Sequence, residues 1–138
     1  MIYLDTSAIL KLLRREAETD ALTAHLRAHR QQEPITSALA TVEVARALTA
    51  LGAPDIAARA VRRSDRIEAG EDVIPAVAMI APILDLARTL PPSILRSLDA
   101  IHLATAMIAR DAIDHLITYD KRMLTAAQLA GLRTAAPS

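Results

Sequence analysis

Four acidic side chains stand out by where they fall. Asp5 closes the short apolar run Ile2 to Leu4, and Glu43 sits between Val42 and Val44 in a stretch otherwise rich in Ala and Leu. Asp99 follows Ser97 just beyond the Pro91–Pro92 break, and Asp120 closes the run Leu116 to Tyr119. Carboxylates gathered in one crevice repel one another unless cations or protons compensate them. An all-oxygen donor set in a chain without cysteine suits a hard ion, Mg²⁺ or Mn²⁺. Such an ion suits phosphoryl chemistry, because it activates water and neutralises phosphate oxygens. Each acid also has an ordinary explanation. Asp5 and Asp99 fit capping turns at helix starts, and Glu43 is three residues from Arg46, the spacing of a helical surface ion pair. The elements that carry the four acids must decide.

Ile2 to Leu4 is continuously apolar, which reads as a strand buried on both faces. Thr6 or Ser7 then caps a helix whose inward face is Ile9, Leu12 and Leu13. A second helix, residues 17–31, has Ala21, Leu22 and Leu26 on its apolar side. On it His25 and His29 stand four apart, a spacing that can bind a metal, but the surrounding residues read as a solvated face. After Pro34, residues 35–37 form a second strand. A helix from Leu39 towards Gly52 carries Glu43 near its start. Asp55 caps a helix running to Ile67, on which Arg59, Arg62, Arg63 and Arg66 form a basic stripe of the solvated kind. A turn at Gly70 to Asp72 leads to a third strand at Val73 and Ile74, and a helix covers residues 77–90, interrupted by Pro82.

Beyond Pro91 and Pro92, Ser97 caps a substantially buried helix that puts Asp99 in its first turn, with His102 one turn on. His102 reads as a hydrogen-bonded packing histidine. Leu116 to Tyr119 is a fourth strand, Lys121 to Leu129 a short helix stopped at Gly131, and Leu132 to Thr134 a last strand. Strands alternating with helices at this spacing mean a parallel sheet covered on both faces. In such a sheet Asp5, Glu43, Asp99 and Asp120 all fall on the edge where the strands end, which is where ligand crevices form.

Composition narrows the classes. A chain of 138 residues, 52% hydrophobic, suits one domain over residues 1–138 with a single core. With no cysteine, disulfides, thiolate chemistry and cysteine zinc sites are excluded. The longest uncharged apolar run, Val73 to Leu84, is too short for a membrane span, and Asp5 falls where an export signal needs its apolar region. A cytoplasmic protein is expected. Sixteen basic residues balance sixteen acidic ones, unlike a general nucleic-acid coat. Fourteen of the bases are Arg, which favours bidentate phosphate or carboxylate contacts. The absence of Phe and Trp argues against base-stacking platforms.

The blocks MIYLDTSAILKLL, TVEVARAL, LRSLDAIHLATAM and ITYDKRMLTAAQLAGL, in this order, resemble the PIN domain and, more narrowly, the VapC toxins of VapBC toxin–antitoxin pairs. The resemblance covers nearly the whole chain, and its most specific block is DAIHLATA. It implies an α/β three-layer sandwich with a central parallel sheet of about five short strands and helices on both faces. It further implies a metal-dependent endoribonuclease that hydrolyses RNA with a metal-activated water, leaving 5′-phosphate and 3′-hydroxyl ends. The family's acidic quartet falls on Asp5, Glu43, Asp99 and Asp120. Asp5 and Asp99 would hold Mg²⁺ or Mn²⁺ directly, with Glu43 and Asp120 completing the site. Thr6, Ser7 or Thr118 would orient a carboxylate or water, and Arg14, Arg15 and Lys121 would contact phosphate. The implied partners are RNA, a cognate VapB-type antitoxin and a second copy of the chain.

Other classes fit less well. A haloacid-dehalogenase phosphatase needs a second Asp two residues after the first, and here that residue is Ser7. A receiver domain needs an acidic pair at the end of its first strand, which is absent. A PIN-like binding module that has lost its chemistry remains the alternative, and the intact quartet argues against it.

Overall fold

The computed structural model describes residues 1–138. Six strands form one sheet: β1 (Ile2–Leu4), β2 (Pro34–Ser37), β3 (Arg66–Ala69), β4 (Asp72–Val77), β5 (His115–Ile117) and β6 (Thr134–Ala135). Seven helices connect them: α1 (Thr6–Leu13), α2 (Thr19–Ala28), α3 (Ala38–Ala50), α4 (Pro54–Ala60), α5 (Ala81–Ala87), α6 (Ser97–Ile108) and α7 (Lys121–Leu129). Across the sheet the order is β3-β4-β2-β1-β5-β6. All neighbours are parallel except β3 and β4, which pair antiparallel at the edge.

β1 explains the architecture. Its three residues are fully buried, so both faces of the strand must be covered. Ile2 and Leu4 point into one apolar cluster with Ala8, Ile9, Leu22, Val44, Leu48 and Ile67. Tyr3 points into the other, with Ile35, Ile83, Leu103, Leu116 and Met123. The alternation of one short strand thus feeds two cores, α1 to α4 over one face and α5 to α7 over the other. Burying each Ile or Leu is worth about 1.5–3 kcal/mol against leaving it in water. The chain lays β2 and β4 outward on one side of β1, then returns to lay β5 and β6 on the other. The order therefore reverses beside β1, and a crevice opens there at the strand ends.

Several expectations are corrected. There are six strands rather than five, and the sheet is not wholly parallel. The helix expected from Asp55 to Ile67 stops at Ala60, and Arg66 to Ala69 is instead a strand with Ile67 and Ala69 inward. Gly70 and Glu71 turn this strand back into β4. Gly70 sits at φ +66, the positive value a two-residue hairpin demands at its first position and only glycine supplies without strain. The helix expected over residues 77–90 is the end of β4 followed by the shorter α5. The second helix spans residues 19–28 rather than 17–31. The fourth strand is His115–Ile117, and the last is Thr134–Ala135. The supposed basic stripe is dismantled: only Arg59 is helical, Arg62 and Arg66 lie against Glu68, and Arg63 pairs with Asp65. No helix is long and apolar enough to cross a membrane.

Candidate active site

Asp5 rather than Thr6 or Ser7 caps α1. One residue beyond β1, its Oδ1 accepts from the Ala8 backbone NH at 3.0 Å and from Ser7 Oγ at 2.6 Å. Its Oδ2 accepts from Thr118 Oγ1, just after β5. Burial pushes the Asp5 carboxyl up, and the Ser7, Thr118 and Ala8 bonds only partly offset that. Ser7 also accepts from the Tyr119 backbone NH at 2.9 Å, so the two central strands are laced together around this one carboxylate.

Glu43 lies in the second turn of α3, beyond the first-turn position its sequence neighbours suggest. It does not pair with Arg46. Its Oε1 accepts from Thr6 Oγ1 at 2.7 Å and stands 2.6 Å from His102 Nε2, which leaves Oε2 free. His102, 2% exposed on α6, has Nδ1 2.7 Å from the Tyr3 hydroxyl. A file of Tyr3, His102, Glu43 and Thr6 thus links β1, α6, α3 and α1. Burial pushes Glu43 up, but the His102 bond and charge, with Thr6 behind them, prevail and hold it below the usual carboxylate range. Burial, then the charge of Asp5, raises the Tyr3 phenol well above its usual value, so Tyr3 stays neutral.

Asp99 sits in the first turn of α6, as expected. The N-cap position is Arg96 rather than Ser97, and no side chain caps this helix end. Asp99 is half-buried and takes part in no hydrogen bond that would stabilise its charge. Burial raises its carboxyl most, followed by the negative charge of Asp120; Glu43 and Asp5 add to the rise, and only His102 opposes it. All three other acids therefore act on Asp99, and the structure brings the quartet to one edge. Asp120 caps α7, its Oδ1 accepting from the Arg122 and Met123 backbone NH groups at 2.8 and 3.0 Å, and its own NH donates to Thr118 Oγ1.

No three of these carboxylates are yet close enough to enclose an ion. The donor set nevertheless fits a hard divalent cation. It is all oxygen, it leaves Glu43 Oε2 and both Asp99 oxygens free, and two of its acids are held in a state that nearby positive charge would relieve. Thr6, Ser7 and Thr118 all reach the acids, as the sequence suggested. The role of His102 was visible only as a histidine one turn from Asp99; that it reaches Glu43 depends on the α3–α6 packing. Of the three expected phosphate contacts, Arg15 pairs with Asp20 at 2.8 Å, while Arg14 and Lys121 are exposed.

The family model described as "PIN domain" matches residues 2–129. Ribonuclease VapC47 of Mycobacterium tuberculosis (strain CDC 1551 / Oshkosh) is 40% identical over 139 residues, covering 99% of this chain and 97% of that protein. Ribonuclease VapC46 of the H37Rv strain is 44% identical, with 99% and 98% covered. Among solved structures, Mycobacterium tuberculosis VapC20, described as a Sarcin-Ricin loop cleaving toxin, superposes with a TM-score of 0.71 at 18% identity, covering 99% of this chain and all of that one. Rickettsia felis VapBC2, solved bound to a DNA fragment from its promoter, gives 0.69 at 13% identity with both chains fully covered.

Proposed function

Because the chain belongs to the PIN-domain family and groups with its VapC ribonucleases, we propose that it is a divalent-metal-dependent endoribonuclease, the toxin of a type II toxin–antitoxin pair acting in the cytoplasm. The observation that carries this reading is the state of Asp99: half-buried, without a hydrogen bond, and destabilised by Asp120, Glu43 and Asp5 together. The α6 dipole favours an acid at this position, but only a nearby cation would relieve the repulsion from all three neighbouring acids.

Asp5 and Asp99 would hold Mg²⁺ or Mn²⁺, with Glu43 and Asp120 completing the set. When bound, such an ion acidifies water and neutralises charge on the phosphate. Glu43 is suited to a ligand's task rather than a general base's, since His102 keeps it ionised far below neutral pH. Ser7 and Thr118 fix the rotamer of Asp5, and Tyr3, through His102, fixes that of Glu43. Hydrolysis leaves 5′-phosphate and 3′-hydroxyl ends. Arg96, Lys121 and Arg122, exposed at the starts of α6 and α7, flank the crevice and offer phosphate contacts.

The partners follow. A VapB-type antitoxin packs beside α2, where a groove of about 370 Å³ opens between α2 and the β3–β4 hairpin, lined by Leu12, Leu26, Arg27, Arg30 and Ile74. It sends a cationic side chain into the crevice to compete for the carboxylates. A second copy of the chain packs on α5 and the start of α6, where Ile80, Leu84, Ile94 and Leu98 are exposed.

The test is cleavage of mixed cellular RNA with Mg²⁺ or Mn²⁺ against chelator, with Asp5→Asn as control. Cleavage should need the ion and vanish in the variant. Cleavage that persists in chelator, or in Asp5→Asn, would overturn the proposal.

A further inference from the structure

Three of the four histidines gather at the other edge of the sheet, away from the carboxylates. His25 on α2 and His29, the residue that caps the C-terminal end of that helix, stack with ring centroids 4.3 Å apart, and His115, the first residue of β5, stands edge-on to them at 5.0 and 5.4 Å. Expected on a solvated face, the two rings are half-buried, and His25 reaches the start of β5. His25 and His115 meet Nε2 to Nε2 at 2.8 Å.

Their neighbours fix the tautomers. His29 Nδ1 lies 2.8 Å from the His25 carbonyl oxygen, which can only accept, so Nδ1 carries the proton. His115 Nδ1 lies 2.7 Å from Asp114 Oδ2. The His115 bond, with the Arg133 guanidinium on the other oxygen at 2.5 Å, holds the Asp114 carboxyl below its usual range, so here too Nδ1 donates. In its neutral form each ring therefore presents an unprotonated Nε2, on His115 towards His25 and on His29 towards solvent. Metal-bound histidines have the same arrangement, with the remote N–H anchored on a carboxylate or a backbone carbonyl. His115 Nε2 accepts the one proton that His25 Nε2 offers. His29 Nε2 has no partner in the protein, and since no buried side-chain polar atom lacks one, this nitrogen opens to solvent.

We propose that His25, His29 and His115 form a second cation site, for an imidazole-seeking ion of the Zn²⁺, Ni²⁺ or Co²⁺ class, with Asp114 as its positioning residue. Ligands on a four-coordinate ion with bonds of 2.0–2.1 Å stand roughly 3.3 Å apart, so the His25–His115 pair needs to open by only about half an ångström. No three donors yet converge on one point; the ring of His29, beside both, swings in as the third ligand while water enters from the open side. On binding, the His25 proton moves through solvent from Nε2 to Nδ1, so the ring stays neutral and Nε2 is free to coordinate. Burial, and the neighbouring His29 and His115, already disfavour the charged form of His25. The site chooses by donor softness: imidazole nitrogen here, carboxylate oxygen in the crevice, so Mg²⁺ should not compete. An ion held here ties α2 to β5.

The experiment uses the untagged full chain carrying Asp5→Asn and Asp99→Asn, which removes the oxygen site. Co²⁺ is titrated in millimolar Mg²⁺ and followed by visible absorption, with Zn²⁺ as competitor. One equivalent should bind with the intense bands of four-coordinate nitrogen ligation, raise the unfolding temperature and be displaced by Zn²⁺. His29→Ala, which removes a half-buried ring, should weaken binding at least ten-fold, and Asp114→Asn roughly ten-fold. Circular dichroism checks that both fold. Absence of stoichiometric binding would overturn the proposal, as would affinity unchanged in His29→Ala and in a further His25→Gln variant.

Discussion

At the scale of single residues, Asp99 and His102 make opposite predictions. The native carboxyl of Asp99 is raised, so the native state holds its proton to higher pH than the unfolded chain does. Metal-free stability should therefore fall as pH rises from the ordinary carboxylate range through the raised native value. Asp99→Asn keeps the shape and removes that dependence. In chelator it should unfold at the parent's temperature or above, while RNA cleavage with added Mg²⁺ falls roughly 100-fold or more. A variant less stable than the parent that still cleaves at its rate would reduce Asp99 to a helix-start residue. For His102 the signs reverse. His102→Leu leaves the buried Tyr3 hydroxyl without its partner and frees Glu43 to rise. The loss should be about 1–3 kcal/mol in denaturant unfolding, and the acid limb of the cleavage profile should move to higher pH. In the parent, the stability that Glu43 contributes is present above its unfolded pKa and fades as pH falls through its lowered native one. What was legible here was residue chemistry. Acids at strand ends and helix starts announce themselves by type and position, whereas the His102 bridge and the histidine cluster join residues 59 and 90 positions apart, respectively, in the chain.

At the scale of elements, the outer part of the sheet was the hardest to read. Ile2 to Leu4 is apolar throughout and was legible as a strand buried on both faces. Arg66 to Ala69 alternates polar and apolar, but arginines three or four apart run into it from α4, and their helical spacing hides a four-residue strand. The charges belong to local pairs with Glu68 and Asp65, not to a helical face. Two outcomes follow. Gly70→Ala meets no neighbour within 4 Å, so its only cost is the positive φ; that is about 1 kcal/mol, a fall of roughly 2–4 °C in unfolding temperature, with cleavage unchanged. Charge reversal at Arg62 and Arg63 should leave cleavage of a short oligonucleotide within about two-fold. Its abolition in a folded variant would place these arginines at the substrate after all.

For the whole molecule, the overall balance of charge predicts modest RNA affinity without metal, declining steeply with salt. Assembly can be tested at the same scale. Ile94 is 82% exposed, too open to stabilise a lone chain. Ile94→Asp should leave the unfolding temperature of the isolated chain nearly unchanged while shifting its mass in light scattering from dimer to monomer. A dimer that persists would move the contact elsewhere.

The position of β1 has a consequence for synthesis. This three-residue strand precedes every other element described, yet it lies between β2 and β5, and β5 begins only at His115. Emerging from the ribosome, Ile2 to Leu4 must wait for most of the chain before both edges are paired, the kind of distant parallel pairing that folds slowly. Asp120 arrives later still. A nascent chain stalled or truncated before His115 therefore has no assembled crevice, and whatever the carboxylates do begins only after Asp120 has emerged.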